Sequence, residues 1–468
     1  IYMCGFTCII DDEDASSKLN FLASKKKIYY HRGPDYIEFY RDKKITIIFK
    51  RLSIIDLTKK SNQPMFSKNR RYVIVFNGEI YNYLEIKNIL LQKGVKFKSK
   101  GDTEVLLNAY IFWGEKFVNH LRGMFSFCIW DRKYSKMVAY RDRFGQKPLY
   151  YYKTKTGIII SSEIKDITQI VKVSTNEKVI TKYILRNIMD NDKNTFYKNL
   201  YRVEPSHKLE YSKKKIILKK YFSLKYSEEK NFNKEEFLEV FQDCVNSHLN
   251  ADVKVAFLLS GGLDSTSLAS IASINKRDIK TFSVIPKHTY NEKPYIDSFI
   301  NKKKLDHEYI NVDNYLNSNN FLKVLQSQDE PFHSINCFYQ YFLQQNIKNK
   351  GYKVLIIGEG GDEVMGGYDR MFLVYMTELW RRKEFSLIDK NLKFKKIDKN
   401  RYLEMIKSYD KKIKKNLTDF EDNTAWKYCR RLPLLIPAAS TFPIIVTSSL
   451  TFNLEMGRTV ERSRYFRG

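Results

Sequence analysis

The chain has 468 residues, a net charge of +29, and a composition that is 43% hydrophobic and 15% aromatic. This length exceeds what one hydrophobic core usually serves, so at least two domains are expected. The chain has no long apolar run, and its start lacks the basic and apolar regions of a signal peptide. These features exclude a membrane span and favour a soluble cytoplasmic protein.

The six cysteines and the positive net charge indicate whether a zinc site or a nucleic-acid partner is expected. No two cysteines have Cys-x-x-Cys spacing and none lies in a His-rich cluster, which suits a reducing compartment and argues against zinc. The positive charge could indicate a nucleic-acid partner. The lysines are spread widely, however, among many Asn, Ile and Tyr residues, as an AT-rich gene would give. We therefore expect no nucleic-acid partner.

The first candidate site is the cysteine in Met3-Cys4-Gly5-Phe6. A Cys after an initiator Met becomes the N-terminal residue once Met is removed, and a free α-amine has a pKa of about 7.7–8.0. That amine can take the thiol proton, which activates the nucleophile. Cys4 could instead be a small apolar residue that begins a strand. Ile1 and Tyr2 resemble translation from upstream of the true start, so we expect the functional protein to begin at Cys4.

Further polar motifs follow before residue 151, at His31–Asp35, Arg51–Asp56, Gln63–Met65, Phe76–Asn82, Gly101–Glu104, Arg141–Gly145 and Lys147–Tyr150. The local patterns predict a strand over 72–76 that ends in a tight Asn77-Gly78 turn. Asp102 is predicted to cap an amphipathic helix through Tyr110. Strands joined by a polar turn are predicted over 125–130 and 137–140.

This set of motifs, in this order, resembles the class II (N-terminal nucleophile) glutamine amidotransferase domain across residues 4–210. That resemblance implies a four-layer αββα sandwich, in which two antiparallel sheets are stacked between helices. Cys4 would attack the glutamine amide, and Asn77 and Gly78 would form the oxyanion hole. Residues implied to bind glutamine are Arg51 at the α-carboxylate, Glu79 and Asp102 at the α-ammonium, and also Leu52, Ile54 and Asn77.

A charged segment over 211–234 is predicted to be a linker, and a second domain is predicted over 235–428. A helix is expected over 235–249 because apolar residues recur on one face. Strands and helices then alternate, with strands expected to Leu259 and over 281–285, 307–312 and 353–357, and helices from Ser265 and near 294–302. This alternation predicts a doubly wound parallel sheet, whose ligands bind at the carboxyl ends of the strands.

The loop Ser260-Gly261-Gly262-Leu263-Asp264-Ser265 begins at one such end. Glycines let backbone N–H groups approach phosphate oxygens, and the following helix contributes its positive N-terminus. There is no Gly-Lys-Ser/Thr, so this is not the usual P-loop. The hexapeptide resembles the pyrophosphate loop of N-type ATP pyrophosphatases. Residues implied to bind ATP are Leu258, Ser260, Gly261, Gly262, Asp264, Ser265, Gly358 and Glu359.

A second loop, Gly358-Glu359-Gly360-Gly361-Asp362-Glu363, places three acids among glycines after an apolar run. Acids beside ATP bind magnesium or act as bases. The two loops together with a class II glutaminase domain resemble the glutamine-hydrolysing asparagine synthetase family, and Asp329–Phe332 also matches a segment of it. The resemblance implies Mg²⁺ at Asp264 and Asp362, and Glu359 as a base.

The chain is therefore expected to amidate aspartate, using ATP and ammonia from glutamine, and to form a homodimer if it has a protein partner. The alternatives are amidation of another carboxylate such as a sugar uronate, a cyclising relative similar to β-lactam synthetase, an RNA-modifying pyrophosphatase, and an inactive truncated product. The resemblance ends near Tyr368. The segment 429–468 has no Lys, three prolines and an Arg-rich composition, so it is predicted to be an atypical, frame-shifted tail on an incomplete domain.

Overall fold

A computed structural model gives the fold and describes residues 3–12, 32–224, 233–275, 279–284, 292–332, 334–394 and 398–418. His31 and the predicted tail at 429–468 lie outside the described residues. The chain divides into two compact units. The larger unit contains the described residues up to Ser223 and from Lys234 to Gly358, and the smaller contains mainly those from Glu359 onward.

Antiparallel strands build the first half of the larger unit. They are β1 (Gly5–Asp11), β2 (Tyr36–Asp42), β3 (Ile45–Arg51), β4 (Met65–Phe66), β5 (Tyr72–Ile80), β6 (Gly123–Asp131), β7 (Lys136–Arg141), β8 (Tyr150–Lys153), β9 (Gly157–Ser161), β10 (Leu200–Arg202), β11 (His207–Ser212) and β12 (Lys215–Lys220). They form two six-stranded sheets, with strand orders β10-β8-β9-β1-β3-β2 and β12-β11-β7-β6-β5-β4. All of the pairings are antiparallel.

Alternate residues of these strands point to opposite faces of each sheet, and the apolar faces of the two sheets pack against each other. Ile47 and Phe49 of β3 belong to the core between the sheets, while Ile48 packs on the other side, against a helix. The helices of this half are α1 (Tyr83–Gln92), α2 (Asp102–Trp113), α3 (Ile164–Thr168) and α4 (Glu177–Arg186). Helices α1 and α2 pack against the sheet that contains β5, and α3 packs against the sheet that contains β1. The predicted αββα sandwich is confirmed.

Three local predictions need correction. Strand β5 continues through Asn77 and Gly78, which pair with Ser126 and Phe125 of β6, so the predicted tight turn is wrong. Asp102 is the first residue of α2 rather than its cap, because Gly101 holds the capping position and the Asp102 carboxylate accepts the Ile80 N–H. Strand β12 lies inside the segment predicted to be a linker, so the sandwich continues past residue 210.

The second half of the larger unit alternates helices and strands. They are α5 (Lys234–His248), β13 (Val255–Leu258), α6 (Leu263–Asn275), β14 (Lys280–Val284), α7 (Lys293–Lys303), β15 (Asp306–Ile310), α8 (Ser318–Gln328), α9 (Asn336–Asn349) and β16 (Val354–Ile356). The strands form a parallel sheet of order β15-β14-β13-β16. One apolar cluster, around Leu268, packs Phe257 of β13 against α5 and α6. A second, around Phe338, packs the neighbouring Ala256 against α8 and α9. Helices therefore cover both faces of the sheet, and the predicted doubly wound parallel sheet is confirmed.

The smaller unit is helical. It contains α10 (Gly361–Met365), α11 (Asp369–Arg381), α12 (Phe385–Phe394) and α13 (Lys399–Thr418). Met376, Ile388 and Ile406 join its apolar core, and Arg381 Nε lies 2.6 Å from Asp410 Oδ1. Across the part of the chain that the structure describes, no helix is both long and apolar enough to cross a membrane.

Candidate active site

A pocket in the larger unit gathers the residues that the sequence assigned to glutamine. Its lining includes all eight of them, namely Cys4, Arg51, Leu52, Ile54, Asn77, Gly78, Glu79 and Asp102. The other lining residues are Met3, Ile55, Ser61, Gln63, Phe76, Thr103 and Lys147. The fold therefore brings together side chains that are as far apart in the chain as Met3 and Lys147.

Cys4 lies immediately before β1, at the floor of this pocket. Its Sγ lies 3.4 Å from the Leu52 carbonyl oxygen and accepts the Leu52 N–H at 3.3 Å. Burial raises the pKa of the Cys4 thiol to about 11, against the opposing effects of the Leu52 N–H, Lys147 and Arg51. Because the thiolate is the nucleophile, a base close to the sulfur is needed for reaction at neutral pH.

The edge of β5 supplies a backbone donor to the pocket. Along a strand, alternate residues point their N–H groups to the same edge. At one edge the Phe76 N–H donates to Gln63 Oε1 at 2.6 Å, and the Ile80 N–H donates to Asp102 Oδ2 at 3.1 Å. Gly78 lies midway between these residues, so its N–H points to the same edge, which faces the pocket.

The side-chain amide of Asn77 is a second donor. Asn77 is almost fully buried, and its Nδ2 has no hydrogen-bond partner among the described residues. An unpaired buried donor costs free energy unless a ligand satisfies it. Asn77 Nδ2 and the Gly78 N–H are therefore two donors at this pocket, as the predicted oxyanion hole requires, and that role stays a prediction.

Two buried carboxyl groups and one buried ammonium group set the electrostatics. Burial raises the pKa of Glu79 to about 7, although Lys147 acts in the opposite direction. Burial likewise raises the pKa of Asp102 to about 6, opposed by backbone N–H groups that include Ile80. Burial lowers the pKa of the Lys147 ammonium, an effect that Glu79 partly offsets. A ligand ammonium group would favour the ionised form of both acids.

Arg51 holds the loop that forms one wall of the pocket. Its Nη1 donates to the Thr58 carbonyl at 2.9 Å and to Asn62 Oδ1 at 2.6 Å, and its Nη2 donates to the carbonyls of Ile55 and Asp56. A ligand carboxylate would have to share these nitrogens with the loop or bind at Nε. The bidentate contact with glutamine therefore stays a prediction.

The phosphate loop predicted at 260–265 joins β13 to α6. The Ser260 N–H donates to Ser265 Oγ at 3.1 Å, and Gly261 has a φ of 76° that favours glycine. Helix α6 begins at Leu263, two residues earlier than predicted, which places Asp264 in its first turn. The N–H groups of this helix start are suited to oxygen atoms of a phosphate.

Gly358 packs directly against the start of α6. A Cβ atom at Gly358 would lie 2.9 Å from the Ser265 nitrogen and 3.1 Å from the Asp264 Cβ. This contact arises because β13 and β16 are paired neighbours in the parallel sheet, so their carboxyl ends lie side by side. The structure thus brings Gly358 next to Asp264 and Ser265, and ATP binding by these residues stays a prediction.

The acids of the second loop belong to the smaller unit. Glu359 precedes α10, and Asp362 lies in its first turn. Within the residues that the structure describes, no cluster of three or more His, Cys, Asp or Glu side chains is arranged to hold a metal ion. The predicted magnesium ligands are single carboxylates, which suits an ion that takes its remaining ligands from phosphates and water.

Some pocket residues were not assigned a role from the sequence. Gln63 secures β5 through both its side-chain oxygen and its Nε2, which donates to the Phe76 carbonyl at 3.3 Å. Lys147 is buried beside the pocket, and its Nζ lies 3.3 Å from Met3 Sδ. Both residues lie in motifs that the sequence singled out, and that placement was the available signal.

Fold and pocket together define a protein that joins an N-terminal-nucleophile glutaminase sandwich to a parallel-sheet domain with an ATP-pyrophosphatase-type loop. Comparison with protein families agrees. Residues 3–222 match the glutamine amidotransferase domain, and residues 236–436 match asparagine synthase.

Among curated proteins, asparagine synthetase 1 of Bacillus subtilis is 31% identical over 382 residues, which cover 78% of this chain and 59% of that protein. Putative asparagine synthetase 2 of Methanocaldococcus jannaschii is 30% identical over 401 residues, which cover 78% of this chain and 76% of that protein. Both are named as glutamine-hydrolysing. The chain belongs to the glutamine-hydrolysing asparagine synthetase family.

Asparagine synthetase 2 of B. subtilis is also 30% identical, over 52% of its length. The chain thus spans between about half and three quarters of the length of these relatives. Among solved structures, glutamine phosphoribosylpyrophosphate amidotransferase from B. subtilis aligns with a TM-score of 0.35 at 15% identity, over 63% of this chain and 70% of that one.

Proposed function

We propose that this chain makes asparagine from aspartate, with glutamine as the nitrogen donor and ATP as the activating substrate. The observation that carries the proposal is the pocket, in which a cysteine thiol lies with an unpartnered buried amide donor and two buried carboxyl groups. These groups suit a substrate that has an amide carbonyl and an ammonium group, as glutamine does. Family membership supports the same substrate.

In the proposed glutaminase step, the Cys4 sulfur attacks the side-chain amide carbon of glutamine. Asn77 Nδ2 and the Gly78 N–H donate to the oxyanion that forms, and ammonia leaves as the thioester is made. Water then hydrolyses the thioester to glutamate. The α-amine of Cys4, once the preceding residues are removed, is the proposed base, because the thiol pKa is otherwise held high. Glu79 and Asp102 are proposed to hold the substrate ammonium.

The proposed second step uses the 260–265 loop. Its backbone N–H groups and the hydroxyls of Ser260 and Ser265 bind the phosphates, while the β-carboxylate of aspartate attacks the α-phosphorus and pyrophosphate leaves. Ammonia then displaces AMP from the acyl-adenylate to give asparagine. Asp264 and Asp362 are proposed to hold Mg²⁺, which would neutralise phosphate charge. Glu359 is proposed as a base near the reacting carboxylate.

A reducing cytoplasmic setting is proposed from the thiols. Among the described residues, Cys4, Cys8, Cys128, Cys244 and Cys337 form no disulfide bond. Cys429 lies outside the described residues. Free thiols persist where glutathione and thioredoxin keep cysteines reduced.

The test is to incubate the protein with ATP, aspartate and either glutamine or ammonia, and to measure glutamate, asparagine and pyrophosphate. We expect Cys4→Ala to abolish glutamate formation while ammonia-dependent asparagine formation continues. A panel of other carboxylic acids, including a uronate, replaces aspartate in parallel. If glutamate forms but no acid causes pyrophosphate release, the protein is a glutaminase and the proposed synthetase step is wrong. If another acid is amidated instead of aspartate, that acid is the substrate and the proposal of aspartate is wrong.

A further inference from the structure

We propose that Asp252, which lies in the half of the larger unit that carries the ATP loop, is a positioning residue for glutamine in the other half. This inference rests on the proposed function of the pocket. Asp252 precedes β13 by three residues. Its N–H donates to the Ile54 carbonyl at 2.9 Å, and its Oδ2 accepts the Asp56 N–H at 2.8 Å. Ile54 and its neighbour Ile55 line the pocket.

Asp56 joins the two sides of the pocket that are proposed to hold glutamine. Its carbonyl accepts from Arg51 Nη2, on the side proposed for the α-carboxylate. Its side-chain Oδ2 accepts the Lys100 N–H at 2.8 Å and the Ser61 hydroxyl at 2.7 Å. Lys100 is two residues before Asp102, which lies on the side proposed for the α-ammonium. The position of Asp56 therefore affects the distance between Arg51 and Asp102.

The backbone of Asp56 needs external support. Its φ of 52° is left-handed, a conformation that an L-residue other than Gly adopts only at a cost in free energy. The side chain is fixed by Thr58, Ser61 and the Lys100 N–H, and these bonds hold its pKa below the usual range in spite of desolvation. The backbone N–H is fixed from the other half of the unit, by Asp252. Asp252 thus completes the set of bonds that holds this conformation.

This connection is short and leads to the second site. Asp252 is followed by β13, a central strand of the parallel sheet, and β13 ends at the Ser260–Ser265 loop. A change in the position of the first residues before β13 would therefore move the 54–56 loop. By linkage, a ligand that favours one position of the residues before β13 also favours the matching position of the 54–56 loop.

The experiment compares Asp252→Ala with Asp252→Asn and with a control, Asp243→Ala. Asn keeps a side-chain acceptor for the Asp56 N–H and so should behave like the parent. Asp243 is an exposed acid that also contacts the glutaminase half, through Arg122 at 3.1 Å, and neither residue lines the pocket. The readouts are glutamine KM and kcat for glutamate formation, together with amide hydrogen exchange of residues 54–62.

For Asp252→Ala we expect a rise in glutamine KM of about three- to tenfold, which corresponds to the typical net contribution of one hydrogen bond. The kcat should stay within about twofold, because Cys4 and Asn77 are untouched. Exchange of the 54–62 amides should increase in Asp252→Ala alone. Equal KM values in all three variants, or a KM rise shared by Asp252→Asn, would overturn the proposal.

The two proposals fail in different ways. If the parent makes no glutamate from glutamine, the proposed function fails, and hydrogen exchange alone then decides whether Asp252 positions the loop. If the parent is active and exchange at 54–62 is unchanged in Asp252→Ala, the positioning role is wrong while the proposed function stands. Thermal unfolding of each variant confirms that it is folded.

Discussion

Replacing Glu79 by Gln should make the ligand-free protein more stable at pH 8 while weakening its use of glutamine. Burial raises the pKa of Glu79 to about 7 from an ordinary value of 4.5. A carboxyl group with a raised pKa in the folded state contributes stability below pH 4.5, and this contribution is lost as the pH rises through 7. The shift corresponds to about 3 kcal/mol at pH 8. Gln has a similar shape and does not ionise, so it avoids that cost.

The same substitution, Glu79→Gln, should weaken glutamine binding although it stabilises the ligand-free protein. An ion pair between Glu79 and a substrate ammonium at contact distance is worth up to about 4 kcal/mol with an effective dielectric constant of ~20. Glu79→Gln should therefore raise the glutamine KM by about 10- to 100-fold at pH 8. At pH 6 the parent is mostly protonated at this residue, so the ratio of KM values should be about tenfold smaller.

Thermal unfolding and glutamate formation, both measured from pH 5 to 8, test this reasoning. Glu85→Gln is the control, because that side chain is 62% exposed and lies outside the pocket. The melting temperature of the parent should fall relative to Glu79→Gln as the pH rises, while the control follows the parent. A difference in melting temperature that is the same at pH 5 and pH 8 would show that Glu79 does not titrate in this range.

Three further outcomes are expected. Asn77→Ala should lower kcat for glutamine by about 100-fold or more with a smaller change in KM, because it removes an oxyanion donor; an unchanged kcat would exclude that role. Glu330→Ala should lower the free energy of unfolding in urea by about 2–4 kcal/mol, because it leaves the Phe196 N–H without its acceptor and removes a 3.2 Å ion pair with the buried Arg202; exposed Asp243→Asn is the control. Asp264→Asn should slow aspartate-dependent ATP–pyrophosphate exchange while glutamate formation continues, and equal exchange rates would remove Asp264 from the site.

The sequence predicted the fold well where a pattern repeats within one element. The alternation of helices and strands after residue 235 predicted the parallel sheet, and α5, β14 and β16 lie within a few residues of their predicted positions. The pocket was predictable because its motifs, in their order, resemble those of the class II glutamine amidotransferase domain. Cys4, Arg51 and Asp102 were assigned in this way, and all three line one pocket.

The interactions that complete the pocket depend on contacts between distant segments, which a single sequence does not contain. Lys147 resembles any other of the many lysines until the fold buries it beside Glu79 and Cys4. Gln63 gains its role only because β5 passes beside it, and Asp252 because the start of β13 meets the 54–56 loop. Gln63 and Lys147 lie in motifs that the sequence singled out, but no local pattern shows what they contact, and none marks Asp252.

The error at Asn77-Gly78 has a physical cause that also explains the site. Asn-Gly favours a tight turn when nothing pairs with it, but here β6 pairs along the whole of β5 and keeps the chain extended. Glycine is needed at residue 78 for another reason, since a Cβ atom there would lie 2.1 Å from the Met124 carbonyl oxygen. The close approach of β6 thus requires glycine, while Gln63 and Asp102 bind the N–H groups on either side of it. The Gly78 N–H is thereby held toward the pocket by an ordered strand, which suits a preorganised oxyanion donor better than a mobile turn would.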